Sequence, residues 1–207
     1  MQPFTIVHGP AAALLKPNID TDVIVRIERL TSLERQALGP YALEALRYRA
    51  DGSEDPGFIL NQPAFRQAPI LVTGPNFGCG SSREGAVWAL AARGVRCVIG
   101  ESFGDIFFAN CFQSGVLPIG LPAASVARIA ELAAQGDEVT VDLRQRCLVL
   151  PDGSVVEFEV DPMRREALLE GLDDIGQTLK QEVSISDWQS QDRRDRPWVW
   201  ADPRARP

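Results

Sequence analysis

The sequence predicts an α/β domain, a layered and largely parallel sheet flanked by helices. Three observations carry that prediction. Residues Ile70–Val72 are a continuous apolar run, as a strand buried on both faces requires, and Val95–Ile99 and Val116–Ile119 read as the next two short strands. Each precedes a segment of helical spacing: Ser82–Arg93, Asp105–Gln113 and Ala123–Ala134, with Gly94, Gly115 and Gly136 at or just past their ends. The chain has 207 residues, 45% of them apolar, which is enough to bury a core without disulfide or metal staples.

Ahead of this repeat, Phe4–His8 is β-branched and aromatic enough for a first strand. Pro17–Asp22 is turn chemistry, and Val23–Ile27 reads as a short buried strand. Ser32–Leu46 has helical spacing interrupted at Gly39-Pro40, and residues 50–57 form a polar, breaker-rich surface loop. Behind the repeat, Glu138–Asp142, Cys147–Leu150 and Val155–Val160 read as strands, the last two joined by an Asp152-Gly153 turn. Helices Arg164–Leu169 and Asp174–Ser184 follow. Residues 1–188 are expected to form the domain, and residues 189–207 a tail without regular structure of its own. Trp198 and Trp200 in that tail suit docking either onto another surface or onto this domain.

The composition excludes several functions. A net charge of −7 with no cluster of basic residues argues against a nucleic-acid surface. No apolar run approaches the length of a membrane span, and the N-terminus lacks the pattern of a secretory leader, so a cytoplasmic chain is expected. Cys79, Cys97, Cys111 and Cys147 are widely spread and form no CxxC pair, so no metal site is expected on this chain alone. His8 is the single histidine, which removes most imidazole chemistry.

The segment Gly74–Glu84 is where the chemistry concentrates. Ser81 and Glu84 have the spacing of a capping box, which would explain those two residues structurally. It does not explain Gly78 and Gly80 around Cys79, or Ser82 and Arg83 beside the cap. Glycines let a backbone approach a ligand, helix-start amides attract anions, and arginine grips carboxylates through two bonds. The stretch therefore reads as a carboxylate-binding turn with a hydroxyl directed into it. A phosphate loop would need lysine after the last glycine, and a dinucleotide fingerprint would need glycine where Arg83 stands. A cysteine or serine hydrolase would need a histidine partner, and no GxSxG elbow is present.

Asn76–Glu84 (Asn-Phe-Gly-Cys-Gly-Ser-Ser-Arg-Glu) resembles the signature of the aconitase-like swivel domain, in the form carried by small subunits of 3-isopropylmalate dehydratase. Asn18–Ile24, Ser102–Phe112 with Leu117–Ile119, and Gly171–Leu179 resemble further segments of that family, in order along nearly the whole chain. The resemblance implies a swivelling β/β/α domain. It implies a hydro-lyase subunit that interconverts 2-isopropylmalate and 3-isopropylmalate by dehydration and rehydration, in leucine biosynthesis. A cluster-bearing large subunit is the implied partner, with the 4Fe–4S cluster on that partner and no cofactor bound by this chain. Ser81 matches the serine that removes the carbon-bound proton. Ser82 and Arg83 match carboxylate contacts, and Asp22 a residue lining the site, though Asp22 is equally suited to capping its own turn. Arg47 matches a second carboxylate contact or a side-group sensor, with a solvated surface arginine as the plainer reading. Cys79 is expected to pack near the site without chemistry, and His8 to make a structural hydrogen bond.

Three positions depart from the family pattern. Gly85 stands in place of a histidine, Leu46 in place of a tryptophan and Arg26 in place of a proline. An imidazole lost near the pocket would admit a different diacid. The expected alternatives are therefore the same chemistry on a citraconate- or dimethylmalate-type diacid, or a non-catalytic module that kept the fold.

Overall fold

A computed structural model describes residues 1–200 of the chain. The repeat predicted from sequence is its centre. β1 (Ile6–Leu14), β2 (Ile70–Thr73), β3 (Cys97–Gly100) and β4 (Leu117–Gly120) run parallel. The sheet continues on the far side of β1 as an antiparallel meander of β5 (Glu138–Asp142), β6 (Cys147–Val149) and β7 (Val155–Glu157). The seven strands lie in the order β4-β3-β2-β1-β5-β6-β7.

β1 joins the two halves. Its first five residues, Ile6 to Pro10, pair with β5, and Ala11 to Leu14 pair with β2. It extends well past the expected Phe4–His8. Alanines are poor strand formers, but the whole intrinsic scale spans only about 1 kcal/mol. A parallel ladder and complete burial of Ala11 and Ala12 outweigh that.

Helices cover both faces, because the strand side chains alternate. Ile70, Val72, Cys97 and Ile99 join one core with Val126 and Ile129 of α6 (Ala123–Leu132) and Leu168 of α7 (Pro162–Glu170). Leu71 and Val98 point the other way. They meet Val87 and Leu90 of α4 (Glu84–Ala92) and Phe107 of α5 (Asp105–Gln113). Fully burying each such side chain contributes about 1.5–3 kcal/mol.

The segment 20–47 departs from expectation. In place of a strand at Val23–Ile27 stand two short helices, α1 (Thr21–Ile24) and α2 (Ile27–Ser32). The Asp20 carboxylate accepts the Val23 amide at 2.8 Å, a cap worth about 1 kcal/mol that starts α1. The long helical segment expected over Ser32–Leu46 is a 3-10 turn, Arg35–Tyr41, followed by α3 (Glu44–Arg47). Pro40 and the left-handed Leu43 (φ 57°) prevent one continuous helix.

The C-terminal region holds more structure than its composition suggested. α8 (Asp174–Leu179) is followed by α9 (Glu182–Asp195) and α10 (Pro197–Trp200). The expected boundary at 188/189 thus falls inside α9, and residues 201–207 of the expected tail lie outside the described residues. Asp192 closes the turn between the last two helices. It accepts from Arg196 Nε at 2.6 Å and from Trp200 Nε1 at 2.9 Å, while Arg193 stacks on the Trp200 ring. Trp200 is therefore tethered to this chain while still 38% exposed, and Trp198 is 71% exposed. No helix among the described residues is long and apolar enough to cross a membrane.

Candidate active site

The site forms where the parallel strands end. Loops after β1, β2 and β3 converge at their carboxyl ends, the usual position for ligands in open α/β sheets. The middle loop, residues 74–83, runs between its two neighbours and bonds to both. On one side Asn18 N donates to Pro75 O, Gly78 N to Ile19 O (2.7 Å) and Thr21 N to Cys79 O (2.9 Å). On the other, Phe77 N donates to Ser102 O and Gly104 N to Phe77 O. Asn76 N also donates to the Ser102 hydroxyl at 2.9 Å.

The expected roles of Gly78 and Gly80 have a physical basis here. Both have positive φ (72° and 92°), and a Cβ on Gly78 would lie 2.2 Å from the Phe107 ring. Phe77, fully buried, packs edge-on against that same ring at 5.4 Å. The loop is thereby pressed onto α5, and the chain rises again at Gly80 to present Ser81 and Ser82 to solvent.

Ser81, Ser82, Arg83 and Asp22 come together. Ser81 and Ser82 are exposed, and among the described residues neither hydroxyl has a hydrogen-bond partner. Arg83 Nη1 pairs with the Asp22 carboxylate. The neighbouring residue, Thr21, is buried and bonds through its hydroxyl to both backbone groups of Ser81 at 3.2 Å. Thr21 is not among the residues that the sequence marks for the site. Its signal was a small hydroxyl residue between two acids whose roles differ, since Asp20 caps α1 and Asp22 holds Arg83.

The capping box is absent. α4 begins at Glu84 with Arg83 as its cap residue, and no side chain caps it. Glu84 Oε1 instead accepts the indole N–H of Trp88 at 3.1 Å, one turn along. Ser81 is thus released from a structural duty, and among the described residues the Glu84 and Gly85 amides at the start of α4 have no hydrogen-bond partner, whereas Ala86 N donates to Arg83 O.

Arg47 is not brought to this site, nor is it the solvated arginine that was the plainer expectation. It is 3% exposed, and its donors meet Asn61 Oδ1 (3.1 Å), Pro40 O (2.8 Å) and Glu54 (3.4 Å). Asn61 completes the lock by donating to the Arg47 and Asp55 carbonyls. This guanidinium holds the 40–61 segment together.

The three family departures are absorbed by packing. A Cβ on Gly85 would lie 2.4 Å from Leu30 Cδ2, so the α2 side chain occupies the space a larger residue would need. Gly85 therefore leaves no vacancy at its own Cβ position. Arg26 stands at the start of α2, 3.6 Å from the nearly buried Glu44, which Arg29 also grips at 3.0 Å. Leu46 packs against the core shared by α4 and β2.

The remaining polar candidates lie elsewhere. His8 bridges Thr140 (2.8 Å) and Glu138 (2.7 Å) across β1 and β5, a structural role as expected. Cys97 and Cys111 are buried, and burial raises both thiols well above their ordinary range. Among the described residues no group of three metal-ligating side chains converges, so these residues do not fit an iron–sulfur cluster. Cavities of about 500 Å³ beside Met163 and Lys180, and about 580 Å³ between Arg29 and Tyr48, do not include Ser81. The serine stands on an open face.

Comparison with known proteins shows the family and the fold. Residues 1–124 match the family model for the aconitase C-terminal domain, and residues 127–162 match that described as LeuD_N. The 3-isopropylmalate dehydratase small subunit of Gluconacetobacter diazotrophicus is 49% identical over 96% of this chain and 97% of its own length. That of Paramagnetospirillum magneticum is 48% identical over 96% of this chain and all of its own. The crystal structure of a 3-isopropylmalate dehydratase from Methanocaldococcus jannaschii superposes with a TM-score of 0.67 at 27% identity, covering 88% of this chain and 98% of that one. The sheet that β1 joins, the loop that carries Ser81 and the relatives found along nearly all of its length place this chain in the family of 3-isopropylmalate dehydratase small subunits.

Proposed function

We propose that this chain is the small subunit of a hydro-lyase that interconverts 2-isopropylmalate and 3-isopropylmalate, the isomerisation step of leucine biosynthesis. The observation that carries this reading is an exposed, unpartnered Ser81 hydroxyl beside Arg83 and the start of α4. Ser81 Oγ, as alkoxide, takes the proton from the substrate carbon, and the electron pair left behind forms the alkene as the hydroxyl departs. Rehydration in the opposite sense, with hydroxide adding to the carbon that lost the proton and the proton going from Ser81 to the carbon that lost the hydroxyl, gives the isomer. A free serine is far too weak a base for this. Amides of the α4 first turn and the Arg83 guanidinium supply the positive potential that an alkoxide needs. Arg83 and Ser82 also hold a substrate carboxylate, and Asp22 orients Arg83.

The rest of the site belongs to a large subunit, as the relatives' designation as small subunits supports. A 4Fe–4S cluster on that partner would supply Lewis-acid chemistry at the departing hydroxyl. The open face around Ser81 suits a surface that another chain completes, and a cytoplasmic location suits the whole assembly.

The test is anaerobic co-expression with the cognate large subunit, followed by assay on both isopropylmalates, citraconate and 2,3-dimethylmalate. Turnover of the isopropylmalates well above the others supports the reading. Preference for another diacid would move the substrate while keeping the chemistry. An assembled, cluster-loaded complex with no turnover of any of them would overturn the reading.

A further inference from the structure

Thr21 occupies a position that neither capping nor core packing accounts for. The residue is 1% exposed, and its hydroxyl meets both the amide and the carbonyl of Ser81. It accepts from Ser81 N and donates to Ser81 O, each at 3.2 Å. Its own amide donates to Cys79 O, so one residue holds the loop at two points either side of Gly80. Thr21 is itself held. Asp20 caps α1 through the Val23 amide, and Val25 N donates back to Thr21 O. Gly80, in the left-handed region, turns the peptide of Ser81 toward α1, and a Cβ there would already sit 3.3 Å from Asp20.

We infer that Thr21 is a positioning residue for the reaction: its hydroxyl sets the peptide orientation of Ser81 and hence where the basic oxygen points. This rests on the assignment of Ser81 as the base. Asp20, Thr21 and Asp22 then work as one bracket, in which the first starts the helix, the second orients the base and the third orients Arg83. The Ser81 carbonyl also accepts from Arg83 N at 2.8 Å, whereas Thr21 gives the Ser81 amide its acceptor; a hydroxyl suits the task because one oxygen can accept from that amide and donate to that carbonyl.

The test compares Thr21→Ser with Thr21→Ala in the cluster-loaded complex with the large subunit, with Ser81→Ala as a reference. Both Thr21 variants lose the γ-methyl, so any packing defect is shared and the hydroxyl alone separates them. Thr21→Ala should lower kcat by about 100-fold with KM nearly unchanged, the scale expected of a misplaced reacting group. Thr21→Ser should recover most of that loss, and the basic limb of the kcat–pH profile should move in Thr21→Ala alone. Equal activity of the Ser and Ala variants, whether both high or both low, overturns the positioning role. If that equality occurs while Ser81→Ala is inactive, the base assignment survives and only the role of Thr21 fails. An active Ser81→Ala complex would remove the base assignment itself.

Discussion

The guanidinium of Arg83 pairs with the carboxylate of Asp22 across 61 residues of sequence, joining the loop after β2 to the helix that follows β1. The Asp22 side chain is 53% exposed, so the pair is screened by water and contributes less than about 1 kcal/mol to folding. Its role is to aim a cation. Arg83→Ala and Asp22→Ala should therefore each leave folding stability within about 1 kcal/mol of the parent in urea denaturation. In the assembled enzyme Arg83→Ala should cost about 100-fold in kcat/KM, because the carboxylate grip is lost. Asp22→Ala should cost less, since the charge remains and only its orientation is freed.

Arg47 behaves in the opposite way. Its donors are used within the 40–61 segment, and removing it takes the donor from Asn61 Oδ1 and from the Pro40 carbonyl and opens a cavity where a nearly buried side chain stood. Arg47→Ala should destabilise the fold by about 3 kcal/mol. Arg47→Lys should recover little of this, because an ammonium cannot span three acceptors in one plane. Equilibrium denaturation of the isolated chain reads both, and a variant near parent stability would contradict the structural role.

Gly85 and Leu30 form a size-complementary pair. With the Gly85 Cβ position 2.4 Å from a Leu30 methyl, Gly85→Ala should force that side chain aside and cost about 1 kcal/mol net of its helix gain. Combined with Leu30→Ala, the same substitution should become neutral or stabilising. A double-mutant cycle should return a favourable coupling of about 1 kcal/mol. Additive effects would show that the two side-chain volumes are independent.

The cysteines give a site-resolved check. Burial raises the thiols of Cys97 and Cys111, and to a lesser degree Cys147, where Asp142 and Glu157 add to it. A raised thiol is protonated at neutral pH and becomes nucleophilic only as pH rises. Maleimide at pH 7 should therefore modify the partly exposed Cys79 and Cys147 ahead of the buried Cys97 and Cys111, and labelling of Cys79, next to the serine loop, should block turnover of the assembled enzyme. Mass spectrometry of the labelled peptides decides the order. Cys97 reacting first would contradict the packing of β3.

How much of this could be read from sequence depended on how local each cause was. β2, β3 and β4 were legible because each is a short apolar run whose burial on both faces leaves no other reading. The second half of β1 was not, since Ala11, Ala12 and Ala13 become strand only through β2. The α1–α2 region was misread for a related reason, as its helices are four and six residues long and depend on one cap and on contacts with α3 and α4. Ser81, Ser82 and Arg83 could be singled out because glycines and hydroxyls at a helix start limit the chemistry, and their exposure beside Asp22 fits that reading. Arg47 was misplaced because burial of a charge is decided by partners such as Asn61, fourteen residues away. Thr21 went unnoticed because its task is addressed to a backbone, which leaves no pattern in the neighbouring sequence.

The most direct test is the catalytic rate of a Ser81→Ala complex carrying its large subunit and cluster, measured beside substrate binding. Removal of the base should lower kcat by about 1,000-fold or more, while assembly and the affinity for isopropylmalate stay close to the parent's. Turnover within about tenfold of the parent enzyme would mean that another group takes the proton.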